Sequence, residues 1–171
     1  MRKMSSVDEH KAAAPRSIHC FILTVSDTRT EDTDTSGRAI ADLVVAAGHV
    51  VSGHAIVKDE PDQVRRVIHE QLAAPEVQAI ITTGGTGITS RDSTYETIAT
   101  LLEKRLDGFG ELFRMLSYEQ IGAAAMMSRA CAGLVKGRIV VSLPGSEKAV
   151  RLAMEKLIVP ELGHLVQQAS R

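Results

Sequence analysis

Ile18-His19-Cys20-Phe21-Ile22-Leu23-Thr24-Val25 is apolar almost without a break. A half-exposed strand alternates apolar and polar side chains, so a run like this predicts a strand covered on both faces, as in a parallel sheet between helices. The next segment changes period. Thr33, Asp34, Thr35 and Ser36 can cap a helix, Ile40, Leu43, Val44 and Ala47 fall on one helical face, and Gly48 supplies a stop. The unit then repeats. Val50 to Val57 reads as a second strand, and Pro61 opens a helix with Val64, Val67, Ile68 and Leu72 on one side, closed before Pro75. Val77 to Thr82 reads as a third strand and runs into a glycine cluster.

Further along, Ser93 and Glu96 are spaced as a capping box for a helix that turns Ile98, Leu101 and Leu102 inward. Gly108 to Met127 has helical propensity interrupted at Gly110 and Gly122. Ala130 to Val135 and Arg138 to Leu143 read as a hairpin joined through Lys136-Gly137. Val150, Ala153, Met154 and Leu157 mark one closing helix; Leu162, Leu165, Val166 and Ala169, after Pro160, mark another. Strands alternating with helices predict an α/β fold, a three-layer αβα sandwich around a mostly parallel sheet. Residues 17–171 are expected to form its single domain, and residues 1–16, polar and without period, a flexible tail.

Composition excludes several classes of function. A formal charge of −1, no Trp, two Tyr and three Phe leave neither a basic footprint nor a stacking platform for nucleic acid. No apolar stretch is long enough to span a membrane. Arg2 and Lys3 are followed by Asp8, Glu9, His10 and Lys11 before any apolar region, which does not read as a signal peptide. Cys20 and Cys131 lie far apart among apolar or small residues and read as reduced, packed thiols, consistent with a cytoplasmic address. The histidines form no HxH or HExxH pattern, and there is no GxSxG elbow, so neither a histidine-bound metal nor a serine hydrolase is expected.

An open parallel sheet binds ligands beyond the carboxyl ends of its strands. Four loops should therefore meet on one rim: Ser26-Asp27-Thr28, Lys58-Asp59-Glu60-Pro61, Thr83-Gly84-Gly85-Thr86-Gly87 and Leu143-Pro144-Gly145-Ser146. The glycine loop permits positive φ and uncovers backbone N–H groups, as an anion nest requires; the competing reading is a tight turn alone. Its spacing matches neither GxGxxG nor the P-loop. Asp92 beside such a nest suggests a bridging Mg²⁺, with Asp59 aimed at the same ion, although each carboxylate could instead cap the helix that follows it. Arg91 is either a phosphate clamp or a solvated surface arginine. Ser146 can cap the last strand-to-helix joint, and Ser26-Asp27 is divided between turn initiation and ligand contact.

In order along the chain, Thr24 to Thr28, Asp59-Glu60, Thr82 to Gly87, Arg91 to Glu96 and Leu143 to Ser146 resemble the MoaB/MogA family of molybdenum cofactor biosynthesis proteins. Arg91-Asp92-Ser93-Thr94-Tyr95-Glu96 and Pro144 to Val150 look more like the MoaB branch. The resemblance covers the chain from Ile18 onward. It implies a molybdopterin-binding fold in a homo-oligomer, a trimer or a hexamer built from trimers. It also implies a reaction, molybdopterin adenylylated by ATP with Mg²⁺, releasing diphosphate. Carried over by position, Gly84, Gly85, Thr86 and Gly87, with Thr83, would line the anionic end of pterin and nucleotide. Asp59 and Asp92 would be the catalytic, metal-holding aspartates, and Ser142, Pro144, Gly145 and Ser146 would close the pocket. The alternative from another class is a non-catalytic molybdopterin-binding or scaffold oligomer. An unrelated phosphate-binding α/β domain is the third reading.

Overall fold

The computed structural model describes residues 14–171. Most of the expected tail, residues 1–13, lies outside the described residues. Strands β1 (His19–Val25), β2 (Val50–Val57), β3 (Ala79–Thr83), β4 (Lys104–Arg105), β5 (Cys131–Val135) and β6 (Arg138–Leu143) form one sheet in the order β2-β1-β3-β6-β5-β4. The pairs β1–β2, β1–β3 and β3–β6 are parallel, while β5 runs antiparallel to both β6 and β4. The helices are α1 (Thr35–Ala46), α2 (Pro61–Ala73), α3 (Thr94–Leu101), α4 (Asp107–Ile121), α5 (Glu147–Ala153) and α6 (Val159–Ala169).

The apolar run of β1 explains the layers. Its side chains alternate, so Cys20 and Ile22 join one core with Ile40 and Val44 of α1, Phe113 of α4 and Val150 of α5. Phe21, Leu23 and Val25 join the opposite core with Val64 and Ile68 of α2 and Ile98 of α3. Both faces of the strand are covered, hence the unbroken apolar pattern. The two cysteines are buried and free. Burial pushes the thiol pKa of Cys20 up to about 12 and that of Cys131 up to about 11. The expected packed, inert state follows. Among the described residues no helix is long and apolar enough to cross a membrane.

Several local expectations need correction. Gly110 does not interrupt α4; it is buried where a Cβ would come within 3.0 Å of the Ala130 carbonyl, so the glycine serves close helix–strand packing. Gly122, with φ +62°, does end that helix. The two closing helices are one continuous rod whose Met154–Ile158 turn is π-helical, and Pro160, which has no N–H to give the preceding turn, follows directly on that widened stretch. The two-residue β4 carries too little pattern to be legible. At the Lys136-Gly137 turn of the β5–β6 hairpin both residues have positive φ, 47° and 71°, as a tight two-residue turn demands.

Candidate functional site

Register places the rim. Thr24 of β1 pairs with Ile56 of β2 and Thr83 of β3, and Thr83 pairs with Leu143 of β6. Four parallel strands thus end level, and the chain reverses its direction of travel across the sheet between β1 and β3. An α/β sheet opens its crevice at such a reversal. A cleft of about 460 Å³ lies there, lined by Ser26, Asp27, Asp59, Thr83, Gly84, Gly85, Asp92, Gly145 and Ser146 among the predicted residues. Thr86, Gly87 and Pro144 line an adjoining cavity of about 330 Å³ that shares Gly85, Asp92 and Gly145 with the first. Ser142 is the exception. It is fully buried in β6 opposite Thr82, and neither hydroxyl has a partner among the described residues; it lines neither cavity, against the expectation of a ligand contact.

The glycine loop is built by close approach. Gly84 (φ +99°) donates its N–H to Leu143 O at 3.0 Å, and a Cβ there would lie 2.1 Å from Val25 O. At Gly85 (φ +67°) a Cβ would lie 2.3 Å from Thr94 Oγ1 and 2.6 Å from Asp59 Oδ2. Any side chain at either place would be strained in backbone and blocked in space. The Gly85 carbonyl accepts the first amides of α3, from Thr94 at 3.0 Å and Tyr95 at 3.4 Å. Thr83 Oγ1 donates to Pro144 O at 2.8 Å, tying β3 to the last loop.

The helix caps differ from the pattern read in sequence. Asp59 is buried, and its Oδ1 accepts from Ser93 Oγ (2.7 Å), Thr94 Oγ1 (3.0 Å) and Ser93 N (3.3 Å), while Oδ2 shares only that last N–H. It therefore braces the start of α3 rather than its own helix α2. Neither Glu60 nor Ser93 makes a side-chain cap bond, so the Ser93–Glu96 capping box does not form. Asp92 Oδ2 accepts from Thr89 Oγ1 (2.6 Å) and Thr89 N (2.9 Å), and the Thr89 hydroxyl is the main cause of its lowered pKa. By contrast Asp34 caps α1 through Gly37 N at 2.9 Å, and Ser146 caps α5 through Ala149 N at 3.2 Å, both as expected.

Among the described residues no three His, Cys, Asp or Glu side chains come together to hold a metal. A closed protein cage is absent from that set. Mg²⁺ usually takes one or two carboxylates and completes its sphere with waters and substrate phosphates. Asp59 and Asp92 lining one cleft, with Asp59 Oδ2 lightly used, fit that mode.

Two arginines at the cleft, Arg29 and Arg129, had no reading in sequence. Arg29 reaches Gly145 O at 3.1 Å, Ser36 Oγ donates to the same carbonyl at 2.7 Å, and Arg29 lies 3.7 Å from buried Asp34. Arg29 stands only two residues past Ser26-Asp27, so its place at the strand end was a usable signal. Arg129 lies two residues before β5 and donates to Thr86 O (2.9 Å) and Gly87 O (2.6 Å). It also pairs with Glu96 and stacks over the Tyr95 ring at 4.7 Å. Nothing local announces it. Arg91 is not a free surface arginine: it grips Asp27, whose pKa this lowers to about 2, and Glu60.

With the cleft in view, comparison with known proteins decides the family. A family described as "Probable molybdopterin binding domain" matches residues 21–164. The Molybdenum cofactor biosynthesis protein B of Bacillus cereus is 50% identical over 167 residues, covering 97% of this chain and 99% of that protein.

The chain belongs to the MoaB/MogA family.

Solved members of the family share the fold. A crystal structure of Molybdenum cofactor biosynthesis protein B superposes with a TM-score of 0.88 at 49% identity, covering 91% of this chain and 98% of the other. The tungsten cofactor synthesizing protein MoaB from Pyrococcus furiosus follows at 0.84 and 36%, covering 92% and 100%. The leaning toward the MoaB branch agrees with these matches. As a member of this family the chain is a molybdenum cofactor biosynthesis protein.

Proposed function

We propose that the chain binds molybdopterin and adenylylates it with ATP in the cleft beyond β1, β2, β3 and β6. One observation carries the reading: the glycine turn and both aspartates, scattered from residue 59 to residue 92, line a single cleft. The N–H groups of Gly85 and Thr86 donate to no acceptor among the described residues, which supports their use as phosphate donors. In the reaction a terminal phosphate oxygen of molybdopterin attacks the α-phosphorus of ATP. A new oxygen–phosphorus bond forms, the bond to the bridging oxygen breaks, and diphosphate leaves with the electron pair. Mg²⁺, held by Asp59 and Asp92, would neutralise charge on the phosphates when bound. No protein nucleophile is needed; the chain contributes positioning, with the Gly84–Gly85 turn fixed by Val25, Thr94 and Asp59.

The test is direct. Purified protein incubated with molybdopterin, ATP and Mg²⁺ should yield adenylylated molybdopterin and diphosphate, and Asp92→Asn should lower the rate by about tenfold or more. Product formation unchanged in Asp92→Asn would remove the metal role. A second reading, a binder that does not turn over, is favoured by one feature: both carboxylates already accept bonds from Ser93, Thr94 and Thr89. Molybdopterin retained without adenylylated product would select it. The family resemblance further supports a homo-oligomer, a trimer or a hexamer, and the exposed Met115 and Tyr118 of α4 support the same state.

A further inference from the structure

Arg91 sits at the mouth of the cleft and spans three of its loops. Nε donates to Asp27 Oδ2 at 2.7 Å, and one terminal nitrogen donates both to Asp27 Oδ1 at 3.0 Å and to Glu60 Oε1 at 2.8 Å. The other terminal nitrogen has no partner among the described residues. The three side chains remain 51%, 36% and 43% exposed, so water competes for every bond and the grip is weak. Arg29, the other guanidinium in the cleft, is held differently. It spends its nitrogens on Ser36 Oγ (3.3 Å), Thr35 Oγ1 (3.4 Å) and Gly145 O (3.1 Å), contacts that fasten α1 to the last loop. A phosphate chain entering this cleft meets Asp27, Asp59 and Asp92, with Glu60 at the edge. Arg91 is the cation that can move to meet it.

We propose that Arg91 is the phosphate clamp of this cleft, parked on Asp27 and Glu60 until an oligophosphate takes the guanidinium over. The inference rests on the reading that the cleft binds phosphate. The exchange is chemically even: a guanidinium fork donates to carboxylate and phosphate oxygens in the same geometry, and no covalent bond changes. Asp27 competes from a neighbouring loop and so sets the affinity for phosphate. Deleting the competitor tightens binding, whereas deleting one side of a purely structural ion pair would loosen the rim.

Isothermal titration of the full chain with inorganic diphosphate, in chelator and low salt, tests this. Asp27→Asn and Glu60→Gln should each bind roughly threefold more tightly than the parent. Arg91→Gln should bind about tenfold more weakly, and the Asp27→Asn/Arg91→Gln double variant should be as weak as Arg91→Gln alone. The double variant matters because removing any negative charge favours an anion in general. A gain from Asp27→Asn that persists in the Arg91→Gln background overturns the clamp, as does an Arg91→Gln variant that binds like the parent. Either result leaves the proposed function standing, since the parent still binds. Diphosphate bound by no variant and not by the parent sinks the clamp together with the phosphate-binding reading. Should Asp27→Asn misfold, Glu60→Gln carries the same sign test.

Discussion

The ring of His49 accepts the Ile18 N–H through Nδ1 at 3.2 Å, and burial lowers its pKa from the ordinary value. The folded chain therefore favours the neutral ring, because a proton on Nδ1 would leave the Ile18 amide unpaired. The sign follows from proton binding. Below about pH 6.5 the unfolded chain takes up a proton that the folded chain resists, so this contribution is complete above that pH and is lost as pH falls through the lowered pKa. Thermal unfolding between pH 8 and pH 5 should show the parent losing Tm more steeply than His49→Gln. Parallel slopes would remove His49 from the pH response. At the same scale, Asp59 and Asp92 were legible as carboxylates in the loops that follow β2 and β3, but the bonding of Asp59 was not. Its donors stand 34 and 35 residues away.

Among the elements, the loop from Thr83 to Gly87 is shaped from outside itself. Arg129 draws the Thr86 and Gly87 carbonyls toward β5, and Glu96 with Tyr95 holds that guanidinium from α3. Arg129→Ala should release the loop while leaving the two cores intact. Hydrogen exchange at residues 86–90 is expected to rise about tenfold or more, with global stability falling by only about 1–2 kcal/mol. Arg129→Lys should restore part of the protection, since an ammonium lacks the planar fork that serves two carbonyls and a carboxylate together. Exchange unchanged in Arg129→Ala would mean that the glycines alone set the turn. Helices α1 and α2 were readable from periodicity and stop signals. The capping box of α3 was misread because Asp59 and the Gly85 carbonyl, supplied from other loops, took the roles assigned to Ser93 and Glu96.

Over the whole molecule, α4 and the turn after it leave an apolar surface exposed. Leu112, Met115, Tyr118 and Ile121 lie on the helix, and Met126 and Met127 extend the patch, with Met126 77% and Tyr118 64% exposed. Apolar side chains this exposed are costly in water, and the proposed oligomer would cover those clustered on one side. Light scattering after size exclusion should give the mass of a trimer or a hexamer, and Met115→Asp with Tyr118→Asp should lower it to the monomer without loss of helical signal. A monomeric parent at micromolar concentration would end the oligomer proposal.

The one-dimensional pattern was enough for the α/β class, the two-sided burial of β1 and the identity of the loops that follow the strands. These depend on spacing along the chain, which periodicity reports directly. Strand order was decided only in three dimensions. The order β2-β1-β3-β6-β5-β4 puts the reversal between β1 and β3, and from that the place of the cleft follows. So were the partners of Asp59, Arg91 and Arg129, and the burial that takes Ser142 out of the site. Each is a choice among residues tens of positions apart whose local propensities are alike, and such choices are settled by how the layers pack.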